Sequence, residues 1–228
     1  MANLFIVATP IGNLGDITER ALRTLSEVDL ILAEDTRVTR KLLEHFKIKT
    51  PLVSYHQHTK LQKVDEIIDF LKQGKSLALV SDAGTPGVSD PGNKLIEEVA
   101  RVGLSLNIIP IPGASALTAA ASISGFPMDS FLFLGFPPAK KKRKKFFNEV
   151  VGSPHPVIFY ESPYRIIRTL QDLKATYNSS HGNNSTEVMV VVCRELTKKF
   201  ETIYRGKIED VIKEITPKGE FVVVVRRV

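Results

Sequence analysis

The chain has 228 residues, 43% of them hydrophobic and 25% charged, a composition that suits a globular protein with a sizeable core and excludes a disordered or fibrous one. No apolar run approaches the ~20 residues needed to span a bilayer, and a single cysteine, Cys193, excludes an internal disulfide. A net charge of +6 is compatible with a nucleic-acid partner but does not require one.

Residues 1–8 lack the basic segment of a secretory signal and are too short to be one. They read as a first strand over 3–8, and the expected compartment is the cytoplasm, with no membrane partner. A helix over 17–25 follows, its entry carrying Asp16 three residues before Glu19 in a capping-box pattern. Then come a strand over 28–33, a helix over 36–46 and an extended piece at 52–54. Val64, Ile67, Ile68 and Leu71 give helical spacing over 61–72, closed by Gly74. Strands at 77–80 and 106–109 flank a helix over 93–102, with Pro91 near its start and Gly103 at its end. This alternation predicts an α/β fold whose N-terminal sheet is mostly parallel and covered on both faces.

Residues 114–123 are small and apolar and read as a tightly packed helix. Gly125, Phe126 and Pro127 then break the chain, which places the expected domain boundary between 1–124 and 125–228. The second half reads as strand 131–135, helix 142–151, strand 156–161 and helix 164–175. After a polar loop at 178–185 come strands 187–194 and 200–205, helix 208–215 and strand 221–227. The short connections among these last strands predict a mixed C-terminal sheet.

Residues 81–92, Ser-Asp-Ala-Gly-Thr-Pro-Gly-Val-Ser-Asp-Pro-Gly, carry the most information. They join a buried strand to a helix with twelve residues, where a plain turn needs only about two to five. Their glycines allow a ligand to approach the main chain. Four further segments also follow strands: 9–16, 34–37, 112–116 and 160–165. Ligands of open α/β sheets bind beyond the carboxyl ends of the strands, so this concentration predicts a binding cleft.

Several chemistries lack support. No segment has the spacing of a dinucleotide fingerprint or of a phosphate loop, and no Gly-x-Ser-x-Gly nucleophile elbow occurs. His45, His56, His58, His155 and His181 are scattered, so no metal site is expected. Cys193, within a run of valines, reads as a small core residue. Residues 140–145 are six consecutive cations, which read either as a solvated helix start or as a site for phosphates.

Taken together, the segments at 9–16, 33–37, 81–92, 112–116, 159–163 and 194–198 resemble the tetrapyrrole-methylase-type family of S-adenosylmethionine-dependent methyltransferases. The Ala-Glu-Asp-Thr-Arg block at 33–37 and the Arg-Glu-Leu-Thr-Lys block at 194–198 are similar to those of its branch acting on ribosomal RNA. That resemblance implies a two-domain class III methyltransferase fold with S-adenosylmethionine folded into the cleft between the domains. It also implies 2′-O-methylation of a cytidine ribose in the decoding region of small-subunit (16S) rRNA, as free rRNA or in the 30S subunit, by a homodimer. Ala114 departs from the more usual proline, and longer members carry an extension beyond the position of Val228.

The resemblance further implies cofactor contacts by Pro10, Asp82, Ala83, Gly84, Val88, Ser115 and Ala116, with the main chain of Cys193, Arg194, Gly219 and Glu220 closing over adenine. Asp82 suits hydrogen bonds from a ribose hydroxyl or an ammonium, or else forms a local turn. Methyl transfer to a hydroxyl needs positioning and removal of a proton. The candidate bases are Glu34, Asp35, Glu161, Glu195 and Lys198, any of which could instead serve an ion-pair network. Arg37, Arg165 and Arg194 suit phosphates, and Arg37 and Arg165 with Lys141, Lys142, Arg143 and Lys144 form the expected RNA-binding set. Two alternatives stand beside this reading. One is methylation of a tetrapyrrole-like small molecule on the same scaffold, and the other is a non-catalytic protein that binds a ligand or RNA.

Overall fold

The computed structural model describes residues 2–56, 61–102, 106–181 and 188–227. His58, Gly103, residues 182–185 and residue 187, all assigned from sequence, lie outside the described residues. The chain divides into two compact units, Met1–Ser115 and Ala116–Val228.

The first unit runs β1 (Asn3–Val7), α1 (Glu19–Glu27), β2 (Leu30–Ala33), α2 (Thr36–His45), β3 (Leu52–Ser54), α3 (Leu61–Lys72), β4 (Leu77–Val80), α4 (Asn93–Arg101) and β5 (Asn107–Ile111). Its five strands pair in the order β3-β2-β4-β1-β5, all parallel. Side chains alternate between the faces. Leu4, Ile6, Leu30, Leu32, Leu77 and Leu79 pack with α3 and α4. Val7, Ile31, Ala33, Ala78 and Val80 pack with α1 and α2. Burial on both faces explains why Leu30–Ala33 and Leu77–Val80 are unbroken apolar runs.

Two details differ from the sequence-based expectation. The cap of α1 is Thr18, whose hydroxyl accepts from the Ala21 N–H at 3.1 Å. Asp16 is instead taken up by a single 3-10 turn, Leu14–Asp16, so the capping box does not form. β5 also runs on through Pro110. As an edge strand it tolerates a residue with no N–H to donate.

The second unit contains α5 (Ala116–Ile123), β6 (Leu132–Phe133), α6 (Arg143–Gly152), β7 (Val157–Glu161), α7 (Ile166–His181), β8 (Val188–Arg194), β9 (Thr202–Lys207), α8 (Ile208–Glu214) and β10 (Phe221–Arg227). Its strand order is β6-β7-β10-β8-β9. β6 and β7 are parallel and the other pairs antiparallel, so the sheet is mixed. Phe146, Phe147, Ile166, Leu170, Leu173 and Val211 of the helices bury against Phe159, Val190, Val192 and Val223 of the strands.

The division falls before α5 rather than after residue 124. α5 packs on β10 and β7, and Arg205 of β9 donates to the carbonyls of Ile123 and Ser124 at its C-terminal end. α7 continues past 175, where the sequence suggested a polar loop from 178. The Ser179 and Ser180 hydroxyls donate to the carbonyls of Ala175 and Thr176, one turn back, so these polar residues fit the helix surface. Among the described residues, no helix is long and apolar enough to cross a membrane.

Candidate functional site

Parallel pairing puts the carboxyl ends of β1, β2, β4 and β5 at one edge of the first sheet. The segments beginning at Thr9, Glu34, Ser81 and Pro112 therefore gather where an open α/β sheet holds ligands. Two of them are tied directly. Thr9 N–H donates to Gly84 O at 2.9 Å and Gly84 N–H to Thr9 O at 3.0 Å. Gly84 has φ +81°, and a Cβ there would sit 3.4 Å from Ile11 Cγ2, so both conformation and space favour glycine. The Thr9 hydroxyl donates to Ser81 O and the Thr85 hydroxyl to Ala114 O, each at 3.3 Å. Thus Pro10, Ala83, Gly84 and the 114–115 segment are held to one framework, while Val88 lies further along the loop and is exposed.

Carboxylates crowd this edge. Asp82 Oδ1 accepts from the Asp35 N–H at 2.9 Å, and Glu34 Oε2 accepts from the Asp82 N–H at 3.4 Å. Asp82 therefore fastens the β4 loop to the β2 loop. Burial pushes Asp90 up to about 6, helped by the charges of Glu34 and Asp82 and opposed by the Ser81 hydroxyl. Burial likewise raises Glu34 and Asp82, more than the backbone N–H each accepts can offset. Asp35 is the opposite case. Arg37 grips it through Nε at 3.0 Å and Nη2 at 2.6 Å, and these bonds hold its carboxyl down at about 2.

In the second unit, Phe221 at the start of β10 faces Glu161 on one side and Arg194 on the other. The loops after β7 and β8 and before β10 thus share an edge. Glu161 has a fully buried side chain. Its Oε1 accepts from the Ser162 N–H at 2.7 Å and pairs with Arg165 at 2.8 Å, and its Oε2 accepts from the Thr169 hydroxyl at 2.5 Å. Both oxygens are committed, so the assignment of Glu161 as a base is corrected to a structural one. Arg165 also donates to Pro137 O at 2.9 Å, and as a partner of Glu161 it is not a free phosphate ligand.

Glu195 and Lys198 form a second cluster. Glu195 Oε1 accepts from the Glu220 N–H at 2.9 Å and from Lys198 Nζ at 3.1 Å, and Lys198 also reaches Glu220 Oε2 at 2.7 Å. Burial alone would raise Glu195, but Glu220, Lys198 and Arg194 together bring it below its ordinary value. Burial would lower Lys198, but the two glutamates outweigh it and hold the amine protonated. Lys198 is accordingly corrected from base to cation. The side chain of Glu195 lies directly over Gly219, at φ +86°, where no Cβ has room. The main chain of Glu220, expected to close over adenine, is paired through both N–H and C=O with Glu195. Arg194 donates to Lys218 O at 2.6 Å and Phe200 O at 3.0 Å, which binds these loops together. Cys193 is buried near the C-terminal end of β8, and burial pushes its thiol up to about 12, consistent with a core residue.

The run at 140–145 is exposed except at Arg143. Arg143 turns inward, 7% exposed. Its Nε donates to Asp172 Oδ2 at 2.7 Å, Nη1 to Pro138 O at 3.1 Å and Nη2 to Thr169 Oγ1 at 2.8 Å. Its guanidinium also lies over the Phe147 ring. Its assignment to RNA is corrected to a structural role, while Lys141, Lys142 and Lys144 remain at the surface. Phe146 and Phe147 both enter the core.

Sequence reasoning missed the charge crowding at Asp90, although the residue stood within the glycine loop. It also missed Thr169 and Asp172, whose only sequence signal is a polar residue on a helix face. Among the described residues, no group of three or more His, Cys, Asp or Glu could hold a metal ion.

The family model for tetrapyrrole (corrin/porphyrin) methylases matches residues 3–212. Ribosomal RNA small subunit methyltransferase I of Halalkalibacterium halodurans is 47% identical over 97% of this chain and 75% of that protein. The protein of the same name from Thermotoga maritima is 44% identical over 98% of each chain. Among solved structures, a diphthine synthase covers 100% of this chain and 90% of its own, with a TM-score of 0.73 at 17% identity. A cobalt precorrin-4 methyltransferase covers 98% and 94%, with a TM-score of 0.67 at 17% identity; both share the fold. A model spanning both units and relatives this similar over nearly the whole length leave one assignment: the chain belongs to the tetrapyrrole methylase family, in the group of the ribosomal RNA small subunit methyltransferase I proteins.

Proposed function

We propose that this protein transfers a methyl group from S-adenosylmethionine to a cytidine 2′-hydroxyl in the decoding region of small-subunit rRNA. The observation that carries the reading is 44% identity over 98% of both chains to a relative named for methylation of that RNA. The first sheet's edge fits the cofactor on its own evidence. The Gly84 main chain is bare of a side chain and doubly bonded to Thr9. Glu34, Asp82 and Asp90 bring negative charge to the same edge, which suits a ligand carrying an ammonium and a sulfonium. Pro10, Asp82, Ala83, Gly84, Val88, Ser115 and Ala116 would hold it. When bound, the cofactor supplies a methyl group already activated by the sulfonium charge.

The protein's own task is to position the ribose and take its proton. Of the five candidates, Glu34 retains the role of base. Its carboxyl is raised, and among the described residues its Oε1 accepts no hydrogen bond, so that oxygen can receive the hydroxyl proton. Asp35 is too acidic at about 2, Glu161 is enclosed and Glu195 is spent on Glu220 and Lys198. Exposed Lys141, Lys142 and Lys144, with Arg37, would contact phosphates and orient the RNA without reading bases. The test is to map ribose methylation in small-subunit rRNA from cells with and without the gene, and in cells carrying Glu34→Gln. Loss of one cytidine 2′-O-methyl in both backgrounds supports the reading. An unchanged methylation map in the deletion overturns it.

A further inference from the structure

α6 and α7 pack side by side, and a cavity of about 590 Å³ opens along their junction. Its charged lining is Lys140, Arg143, Lys144 and Arg168 against a single acid, Asp172. That acid already pairs with Arg143 Nε at 2.7 Å and has Arg168 Nε at 3.7 Å. The groove therefore carries a net excess of cations over a floor whose one acid is already neutralised. Beyond Arg168, α7 adds a second kind of group. Thr176, Ser179 and Ser180 line it with hydroxyls, but each hydroxyl proton is already given to a carbonyl one turn back, at 2.8, 2.8 and 3.0 Å. What they offer to the groove is oxygen lone pairs. The groove thus presents positively charged donors from Lys140, Lys144 and, on α7, Arg168, and further along α7 hydroxyl oxygens that act as acceptors.

We propose that this groove is a seat for the backbone of single-stranded RNA, separate from the edge of the first sheet. Lys140, Lys144 and Arg168 hold phosphates, and the α7 hydroxyl oxygens accept from ribose 2′-hydroxyls. The pairing follows from chemistry, because a ribose phosphate chain supplies anions and hydroxyl donors, whereas DNA and inorganic phosphate lack the 2′-hydroxyl. Arg143 anchors the floor and is not a ligand. The inference rests on the proposed RNA substrate, and it adds Arg168, Thr176, Ser179 and Ser180 to the surface that the sequence run alone defined.

The test uses the full chain with a short fluorescent single-stranded RNA and the deoxy oligomer of the same sequence, read by anisotropy across a salt series. Removing one phosphate ligand flattens the single-strand salt slope by about 0.7, so K140A/K144A/R168A should weaken RNA binding on the order of 50-fold near 0.15 M salt. Arg168 is well exposed and both lysines lie at the surface, so folding is not at stake. Thr176→Val with Ser180→Ala should keep the salt slope and lose the preference for RNA over DNA. Unchanged affinity and slope in the triple variant overturn the groove, as does a wild type with no preference for RNA over DNA. A double variant that keeps the wild-type preference also overturns it. If the wild type methylates rRNA while the triple variant binds and methylates equally, the groove alone fails. If the wild type binds the cofactor yet methylates no rRNA, the proposed function fails instead.

Discussion

Asp90→Asn should stabilise the protein at neutral pH while weakening its grip on a cationic ligand. Burial, then the charge of Glu34, then that of Asp82 against the opposing Ser81 hydroxyl, take the Asp90 carboxyl from 3.8 to about 6. The folded state therefore keeps a proton that the unfolded chain gives up between these values. Stability must fall as pH rises through that window, and the cost is complete above about pH 6. A difference of about two pH units corresponds to ~3 kcal/mol, and solvent screening at this half-buried site brings it to about 1 kcal/mol. Urea unfolding of both proteins from about pH 4 to about pH 8 should show a gap that opens between pH 4 and 6 and then stays constant. Calorimetry at neutral pH should show S-adenosylmethionine affinity lower in the variant by roughly tenfold, the loss of about 1.4 kcal/mol of charge attraction. A stability gap that does not vary with pH would refute the crowding argument. Unchanged cofactor affinity would remove Asp90 from the ligand's surroundings.

Gly84→Val should abolish S-adenosylmethionine binding in calorimetry, because a branched side chain at φ +81° would meet Ile11 and strain the Thr9 bridge; wild-type affinity in the variant would sink that account. Glu161→Gln removes the charge facing Arg165 and disturbs the bonds from Ser162 and Thr169. Denaturant melts should show a loss of about 3 kcal/mol, and a loss under about 0.5 kcal/mol would mean that the network carries little of the fold. Cys193, buried and pushed up to about 12, should resist thiol reagents in the native protein and react at once in denaturant; rapid native labelling would contradict its placement.

The first unit was legible because its central strands β2 and β4 are continuous apolar runs and its helices repeat with period 3.6, signals that arise from burial on two faces or one. The gathering of the loops was legible too, since parallel strands have to end together. The competition between Asp16 and Thr18 for the α1 cap was not. Both types cap helices, and only the 3-10 turn that consumes Asp16 decides it. Arg143 looked like one of six equivalent cations, because the partners that bury it stand 26 and 29 residues away. The raised carboxyl of Asp90 depends first on burial and then on Glu34, on another strand's loop. Charge crowding of this kind exists only once the chain has brought the loops together.

Pro137 and Pro138 have carbonyls but no N–H groups, and each carbonyl is met by an arginine, Arg165 for the first and Arg143 for the second. Those arginines are themselves fixed by Glu161, Asp172 and Thr169. Loops ordinarily absorb insertions and deletions with little penalty. This one is pinned at two successive residues to a buried charge network, so adding or removing a residue between β6 and α6 would leave a guanidinium without its acceptor. The segment leading into the lysines is thus held to a fixed length, and evolution could vary its charges far more readily than its span.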